Sequence, residues 1–87
     1  MSYSIEITQE ARKFLNSLDT KTMERVMGKI RNLAEAPYAP NNNVEKMEES
    51  SLYRLRVGKI RVIYAIYDNV LVIEVVNIGF RGSVYKK

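Results

Sequence analysis

Four arginines and one tyrosine in the second half of the chain have the types and spacing for chemistry on an anion. They are Arg54, Arg56, Arg61, Arg81 and Tyr85. Residues 51–87 contain seven Lys or Arg against two acids, whereas residues 1–50 contain seven against eight, so the net charge of +4 comes from the second half. A concentrated basic surface with an aromatic at its edge suits a phosphate-rich partner such as nucleic acid.

The composition excludes several other kinds of chemistry. The length of 87 residues predicts one small domain, residues 1–87. The chain has no cysteine, which excludes disulfides and thiolate metal sites, and no histidine, which removes the commonest metal ligand and the usual general base at neutral pH. A zinc enzyme and a Ser-His triad are therefore excluded, and no metal site or cofactor is expected. Any catalysis has to use Arg, Lys, Tyr, Glu or Asp.

The chain also lacks the sequence signals of membrane insertion and secretion. No run of about 18 or more apolar residues is present, so no transmembrane helix and no membrane partner are expected. The N-terminus MSYSIEITQE has neither a positive segment nor a long apolar core, and so differs from a secretory signal. The expected location is the cytoplasm.

The first half of the chain predicts a strand followed by two helices. Residues 3–7 alternate apolar and polar side chains, as in a half-buried strand. Thr8 is a suitable N-cap for a first helix, and Asp19 or Thr20 for a second helix with an apolar stripe at helical spacing. Pro37 ends that helix, and residues 37–50 (PYAPNNNVEKMEES) predict an irregular connection.

The second half predicts three strands joined by tight turns. The strands are expected at residues 53–57, 60–67 and 70–78, with a glycine turn around residues 58–59. The order β-α-α-β-β-β predicts an α+β fold: an antiparallel sheet of about four strands with a helical hairpin packed on one face.

Strand alternation predicts that three arginines share one face of the sheet. Arg54 and Arg56 point away from the apolar residues of their strand, and Arg61 does the same on the next strand. The helices have to cover the apolar face, which leaves the three arginines together on the uncovered one. Such like charges repel one another unless they face an anion.

Two segments resemble a known family. The run 52–64, LYRLRVGKIRVIY, resembles the core signature of the RelE/ParE toxin superfamily, and the ending 79–85, GFRGSVY, resembles the tail of its RelE branch. The predicted element order agrees with the RelE-like microbial ribonuclease fold, so the resemblance covers essentially the whole chain. Arg81 with Tyr85 favours the RelE-type ribonucleases over the ParE-type gyrase inhibitors.

The resemblance implies the toxin of a type II toxin-antitoxin pair. Toxins of the RelE type enter the ribosomal A site, cut the mRNA codon there without a metal ion and so inhibit translation. The partners that it implies are the ribosome, with contacts to 16S rRNA, the mRNA, and a cognate antitoxin that covers the basic site. It also implies a toxin-antitoxin hetero-oligomer that binds operator DNA through the antitoxin.

The resemblance further implies a catalytic role for three residues. By match to the motif, Arg61 stabilises charge on the scissile phosphate, Arg81 is the acid for the leaving oxygen, and Tyr85 stacks on or orients a base. The arginines of the match are poor proton acceptors, because arginine stays protonated in proteins. The acceptor is then Lys46, Tyr85, Lys86 or a group of the ribosome.

Five further positions form the RNA-binding set. Arg54 and Arg56 fall where some family members have lysines, and their permanent charge favours a role as phosphate clamps. Lys46, Lys59 and Lys86 are expected to add attraction for phosphate at longer range.

Alternative interpretations stay open. The fold also suits a ParE-like inhibitor of DNA gyrase, a ribosome-independent ribonuclease, or an RNA binder without catalysis. The arginines could instead pair with the acids Glu45, Glu48 and Glu49. Arg25 on the second predicted helix is interspersed with acids, which favours a solvated helix face.

Overall fold

Two helices and five strands make up residues 2–81, the part of the chain that the computed structural model describes. In chain order the elements are β1 Ser4–Ile7, α1 Gln9–Asn16, α2 Thr20–Glu35, β2 Val44–Lys46, β3 Tyr53–Val57, β4 Ile60–Tyr67 and β5 Val72–Phe80. The order agrees with the α+β fold expected from the sequence. Neither helix is long and apolar enough to cross a membrane.

Side-chain caps set the starts of both helices, as their sequences predict. The Thr8 hydroxyl accepts a hydrogen bond from the Ala11 N–H at 3.2 Å, and Asp19 Oδ2 accepts one from the Thr22 N–H at 3.2 Å. Each cap satisfies an N–H group that has no partner within the helix. The α2 helix ends at Glu35, two residues before Pro37, because the residue that precedes proline disfavours helical geometry.

The sheet is mixed and has five strands in the order β1-β5-β4-β3-β2. The predicted fold class is confirmed, but the sheet differs in two details from the expected one of about four antiparallel strands. First, β1 pairs in parallel with β5, Ser4 opposite Val72. The helical hairpin carries the chain away from β1, and the antiparallel hairpins then bring β5 back beside it in the same direction. Second, the connection predicted as irregular contains the short edge strand β2, which pairs with β3.

The last strand starts later than its sequence suggests. Residues 68–71 form the β4–β5 connection, so β5 runs from Val72 to Phe80 instead of 70–78. Leu71 has a φ of +57°, and Ser4 donates a backbone hydrogen bond to its carbonyl oxygen at 2.8 Å. A positive φ is incompatible with an extended strand, so the apolar character of residues 70 and 71 is not a strand signal.

The core lies between the helices and one face of the sheet, as strand alternation predicts. Val26 and Ile30 of α2 and Leu55, Val62 and Ile73 of the sheet are almost fully buried in a single cluster. These side chains occupy the apolar positions of each element's period, 3.6 for the helix and two for the strands. The arginines of β3 and β4 are therefore left on the opposite face of the sheet.

One core residue has a polar group that the packing does not satisfy. Tyr64 is fully buried and stacks on Tyr53 with 5.5 Å between ring centroids. Its hydroxyl has no hydrogen-bond partner within residues 2–81, and burial raises its pKa. Leaving a buried hydroxyl without a partner costs about 1–3 kcal/mol.

We therefore expect Tyr64→Phe to raise the free energy of unfolding by about 1 kcal/mol, because the ring packing is kept and the unsatisfied group is removed. Urea denaturation measures the change. Tyr67→Phe is the control: it removes an exposed hydroxyl that donates to Glu74 at 3.2 Å, and it should change stability by less than about 0.5 kcal/mol. A destabilised Tyr64→Phe variant would mean that the hydroxyl has a partner in solution.

Candidate functional site

The β3–β4 hairpin fixes where the arginines meet. Arg56 is directly opposite Arg61 in the antiparallel register, and Arg54 is opposite Ile63. Side chains of directly opposed residues project from the same face. The structure thus confirms that the three arginines share the face of the sheet that the helices do not cover.

A two-residue turn, Gly58-Lys59, closes this hairpin next to the arginine pair. Gly58 has a φ of +59°, while Lys59 has no positive φ, a combination that matches a type II′ turn with glycine at the first central position. The Gly58 carbonyl oxygen accepts a hydrogen bond from Arg61 Nη1 at 3.0 Å. The turn backbone therefore orients one of the candidate catalytic side chains.

The same turn holds the backbone of Arg81. The β5 strand continues the pairing with β4, Gly79 opposite Arg61. At the end of β5 the Arg81 N–H donates to the Lys59 carbonyl oxygen at 2.8 Å. Because glycine has no side chain, β5 leaves the position beside Arg61 open. The sheet thus brings Arg56 of β3, Arg61 of β4 and Arg81, which directly follows β5, to the same end of the hairpin, with Lys59 in the turn itself.

The side chains of the arginine surface, which we define as Arg54, Arg56, Arg61 and Arg81, differ in their partners. Arg54 forms an ion pair with Glu45, its opposite residue on β2. The Arg54 guanidinium lowers the pKa of Glu45, mainly by donating a hydrogen bond to its carboxylate. Arg56 donates from Nη2 to the Asn42 carbonyl oxygen at 2.8 Å. Within residues 2–81, Arg56, Arg61 and Arg81 form no ion pair with an acid.

Not every residue of the predicted set joins this surface. Lys46 lies opposite Tyr53 on β2, which places it on the helix side of the sheet. Its Nζ donates to the Ser50 carbonyl oxygen and lies 5.9 Å from the centre of the Tyr53 ring. Tyr85 and Lys86 lie outside the described residues.

Arg25 of α2 is a neighbour of the turn that the sequence did not indicate. Its Nη2 atom lies 2.8 Å from the position that a Cβ on Gly58 would occupy. Interspersed acids suggested a solvated face for this part of α2. The contact between Arg25 and Gly58 depends on how α2 packs over the β3–β4 hairpin. No local pattern in the sequence predicts it.

Together these cations can bind and stabilise an anion with a delocalised charge. Arginine presents a planar fork of N–H donors that matches phosphate, and the turn fixes the direction of the Arg61 side chain. Residues 2–81 contain no cluster of acids that could hold a metal ion. The chemistry that this surface supports is therefore phosphate binding and the electrostatic stabilisation of charge that develops on a phosphate.

Comparisons with known proteins agree with this fold. The family model for the ParE toxin of type II toxin-antitoxin systems matches residues 5–85. A RelE-like toxin protein of Escherichia coli is 25% identical over 81 residues, which cover 93% of this chain and 85% of that protein.

Solved structures are similar over nearly the whole chain. The archaeal RelE-RelB complex of Pyrococcus horikoshii OT3 contains a chain with 30% identity and a TM-score of 0.81, covering 94% of this chain and 98% of that one. The Escherichia coli RelBE toxin-antitoxin complex contains one with 21% identity and a TM-score of 0.78, covering 91% and 96%. At 21% identity, the similarity to the Escherichia coli complex shows the fold alone. The family model and the archaeal relative show more: the chain belongs to the RelE/ParE superfamily and is a toxin of a type II toxin-antitoxin system.

Proposed function

We propose that this toxin is an endoribonuclease that cuts mRNA in the ribosomal A site and so inhibits translation. One observation carries the proposal: Arg56 and Arg61 are directly opposite each other, Arg81 lies at the same end of the hairpin, and none of the three forms an ion pair with an acid within residues 2–81. The similarity to RelE proteins supports it as well. The cytoplasm is the location that this activity requires.

The proposed reaction is an attack by the 2′-hydroxyl of the RNA on the adjacent phosphate. The O2′–P bond forms and the P–O5′ bond breaks, which gives a 2′,3′-cyclic phosphate and a 5′-hydroxyl. Arg61 stabilises the extra negative charge on the phosphate, and Arg81 gives a proton to the leaving 5′-oxygen and regains one from solvent. Tyr85 stacks on a neighbouring base, which is worth about 1–3 kcal/mol where it occurs.

The proton of the 2′-hydroxyl has to leave to a group other than the arginines. Arginine has a pKa above about 12 and is a poor base. Lys46 lies on the other face of the sheet, opposite Tyr53, so the acceptor is better sought in Tyr85, Lys86 or the ribosome. Positioning the 2′-hydroxyl in line with the leaving oxygen then supplies a large part of the barrier reduction, about 7 kcal/mol in favourable systems.

Ribosomes programmed with a defined mRNA test this function directly. Purified toxin is added, cleavage is mapped by primer extension, and naked mRNA is treated in parallel. Cuts at the A-site codon on ribosomes alone are the expected result. Cuts on both substrates would instead make the protein a ribosome-independent ribonuclease, and no cut on either would leave an RNA binder or a gyrase inhibitor.

A cognate antitoxin is the proposed protein partner. The solved relatives include RelE-RelB and RelBE complexes, and this chain exposes apolar side chains that a partner could cover. Those exposed by more than half are Tyr38, Val70 and Phe80. We propose that the antitoxin covers part of this apolar surface and the arginine surface. The toxin-antitoxin hetero-oligomer then binds operator DNA through the antitoxin.

The family model itself favours a second candidate, a ParE-like inhibitor of DNA gyrase. On that alternative, the arginine surface docks on gyrase or its DNA and no RNA is cut. A gyrase supercoiling assay with the purified toxin distinguishes the two functions. Inhibition of supercoiling with intact mRNA on programmed ribosomes would favour this alternative.

Glu45 should lower the affinity of the toxin for RNA, because its carboxylate pairs with Arg54. We expect Glu45→Gln to raise affinity for programmed ribosomes about threefold and to steepen the dependence of log affinity on log salt by about 0.7, the value of one more phosphate contact. Fluorescence anisotropy of labelled toxin across a potassium chloride series measures both.

Glu48→Gln is the matched control, since Glu48 forms no ion pair within residues 2–81. Equal effects of the two variants would mean that only net charge matters. Lowering the pH through the depressed pKa of Glu45 should remove this ion pair in the same way. The stabilisation from this pair is present above the unfolded-state pKa of Glu45 and is lost as the pH falls through its folded-state value.

A further inference from the structure

Arg25 brings a cation from the helix layer to the hairpin turn. It lies in the second turn of α2 and its side chain is exposed. Its Nη2 atom approaches within 2.8 Å of the position that a Cβ on Gly58 would take. Because Gly58 has no side chain, the guanidinium packs directly against the backbone of the turn.

The side chains of Arg25 and Arg61 and the backbone of Arg81 therefore meet at the two turn residues. Arg61 donates from Nη1 to the Gly58 carbonyl oxygen at 3.0 Å, and the Arg81 N–H donates to the Lys59 carbonyl oxygen at 2.8 Å. Arg25 reaches Gly58 from the opposite side of the sheet, since α2 packs on the face that Leu55 and Val62 line.

This convergence of charge is not relieved by acids. Within residues 2–81, Arg25 forms no ion pair, although Glu24 is its neighbour on α2. The guanidinium groups of Arg25 and Arg61 at one turn raise the local positive potential, which attracts an anion and is relieved when one binds. Arg25 therefore adds an exposed cation, not paired with an acid within residues 2–81, to the end of the hairpin where Arg61 contacts the turn.

We propose that Arg25 is an additional RNA-binding residue, which holds a phosphate of the RNA backbone on the helix side of the turn. Arg56 and Arg61 hold neighbouring phosphates on the open face of the sheet, so the strand passes around the end of the hairpin. This inference rests on the proposed function, because it takes RNA as the ligand. It also gives Gly58 a second role: a side chain there would displace Arg25.

The test compares Arg25→Ala with Arg31→Ala, which removes the same charge six residues farther along α2, about 9 Å along the helix axis. The probe is ribosomes programmed with an mRNA whose A-site codon carries 2′-O-methyl groups, so that binding is measured without cleavage. Labelled toxin is titrated across a potassium chloride series. Thermal unfolding of each variant shows any loss of packing separately.

We expect Arg25→Ala to weaken binding about three- to tenfold and to reduce the salt slope by about 0.7, with Arg31→Ala within twofold of the parent protein. Arg25→Lys should restore the slope and only part of the affinity, because lysine keeps the charge and lacks the guanidinium fork. A residue that only packs on the turn would leave the salt slope unchanged.

Equal losses for Arg25→Ala and Arg31→Ala would overturn the inference in favour of general electrostatics. So would an unchanged salt slope with a lowered melting temperature. The cleavage experiment with unmodified mRNA is read independently: a toxin that binds but does not cut would end the catalytic proposal and leave the Arg25 comparison valid. A parent protein that does not bind programmed ribosomes would overturn both.

Discussion

Arg81→Ala is expected to lower the single-turnover rate of mRNA cleavage on programmed ribosomes by about 10²–10³-fold, the usual cost of removing one preorganised donor from a site of charge development. Growth inhibition should be lost with it. The physical reason is that the guanidinium acts only on the leaving oxygen in the transition state, so saturating toxin cannot compensate for its removal.

The fold of this variant should be intact. Arg81 is exposed, and its described contact with the sheet is made by its backbone N–H, which donates to Lys59. Alanine keeps that hydrogen bond. Circular dichroism and co-purification with the cognate antitoxin check the fold, and Arg12→Ala, an exposed charge change on α1, is the control. A fully toxic Arg81→Ala variant would show that the catalytic assignment is wrong.

The sequence predicted the arginine surface because its geometry depends on period two alone. In a strand with the sequence Arg54-Leu55-Arg56-Val57, the two apolar side chains have to face the core, so the two arginines point to the other face. The glycine turn then fixes the register, which brings Arg56 opposite Arg61. Local propensity, apolar pattern and turn chemistry all agree over this hairpin, which is why the expectation held.

The pairing of strands that are distant in the chain could not be predicted from the sequence. The parallel pairing of β1 with β5 joins residues near opposite ends of the chain, and apolar alternation does not state which strand is the neighbour. The edge strand β2 is only three residues long, too short for alternation to be visible between the prolines and the acids. As a result the side of the sheet on which Lys46 lies could not be predicted.

Arg25 was missed for a related reason. Its place at the site depends on the angle at which α2 crosses the hairpin, which side-chain packing over the whole core decides. The charge pattern along a helix indicates which face is exposed to solvent on average, but not which residue of that face contacts a neighbouring turn. The one hint in the sequence is the glycine at position 58, whose lack of a side chain permits the approach, but that glycine is already explained by its φ of +59°.

The same substitution at two glycines is expected to have opposite effects. Gly58→Ala should lower the free energy of unfolding by about 1–2 kcal/mol, because its φ of +59° is unfavourable for a residue with a Cβ. Gly28→Ala should raise it by about 0.5–1 kcal/mol, because alanine is the better helix former. Space permits the second change: the nearest atom to a Cβ on Gly28 is Arg31 Nη2 at 4.0 Å.

The two variants should also separate in activity. The Gly58-Lys59 backbone directs Arg61 and holds Arg81, and a Cβ on Gly58 would push Arg25 away from its position at 2.8 Å. Since a misplacement of about 1 Å in a catalytic group can cost about 10²-fold in rate, Gly58→Ala should reduce single-turnover cleavage by about tenfold or more. Gly28→Ala should cleave like the parent protein. Urea denaturation and the ribosome assay measure both quantities on the same preparations. Full activity in a destabilised Gly58→Ala toxin would mean that the arginines find their geometry without the turn, and that RNA binding itself orders them.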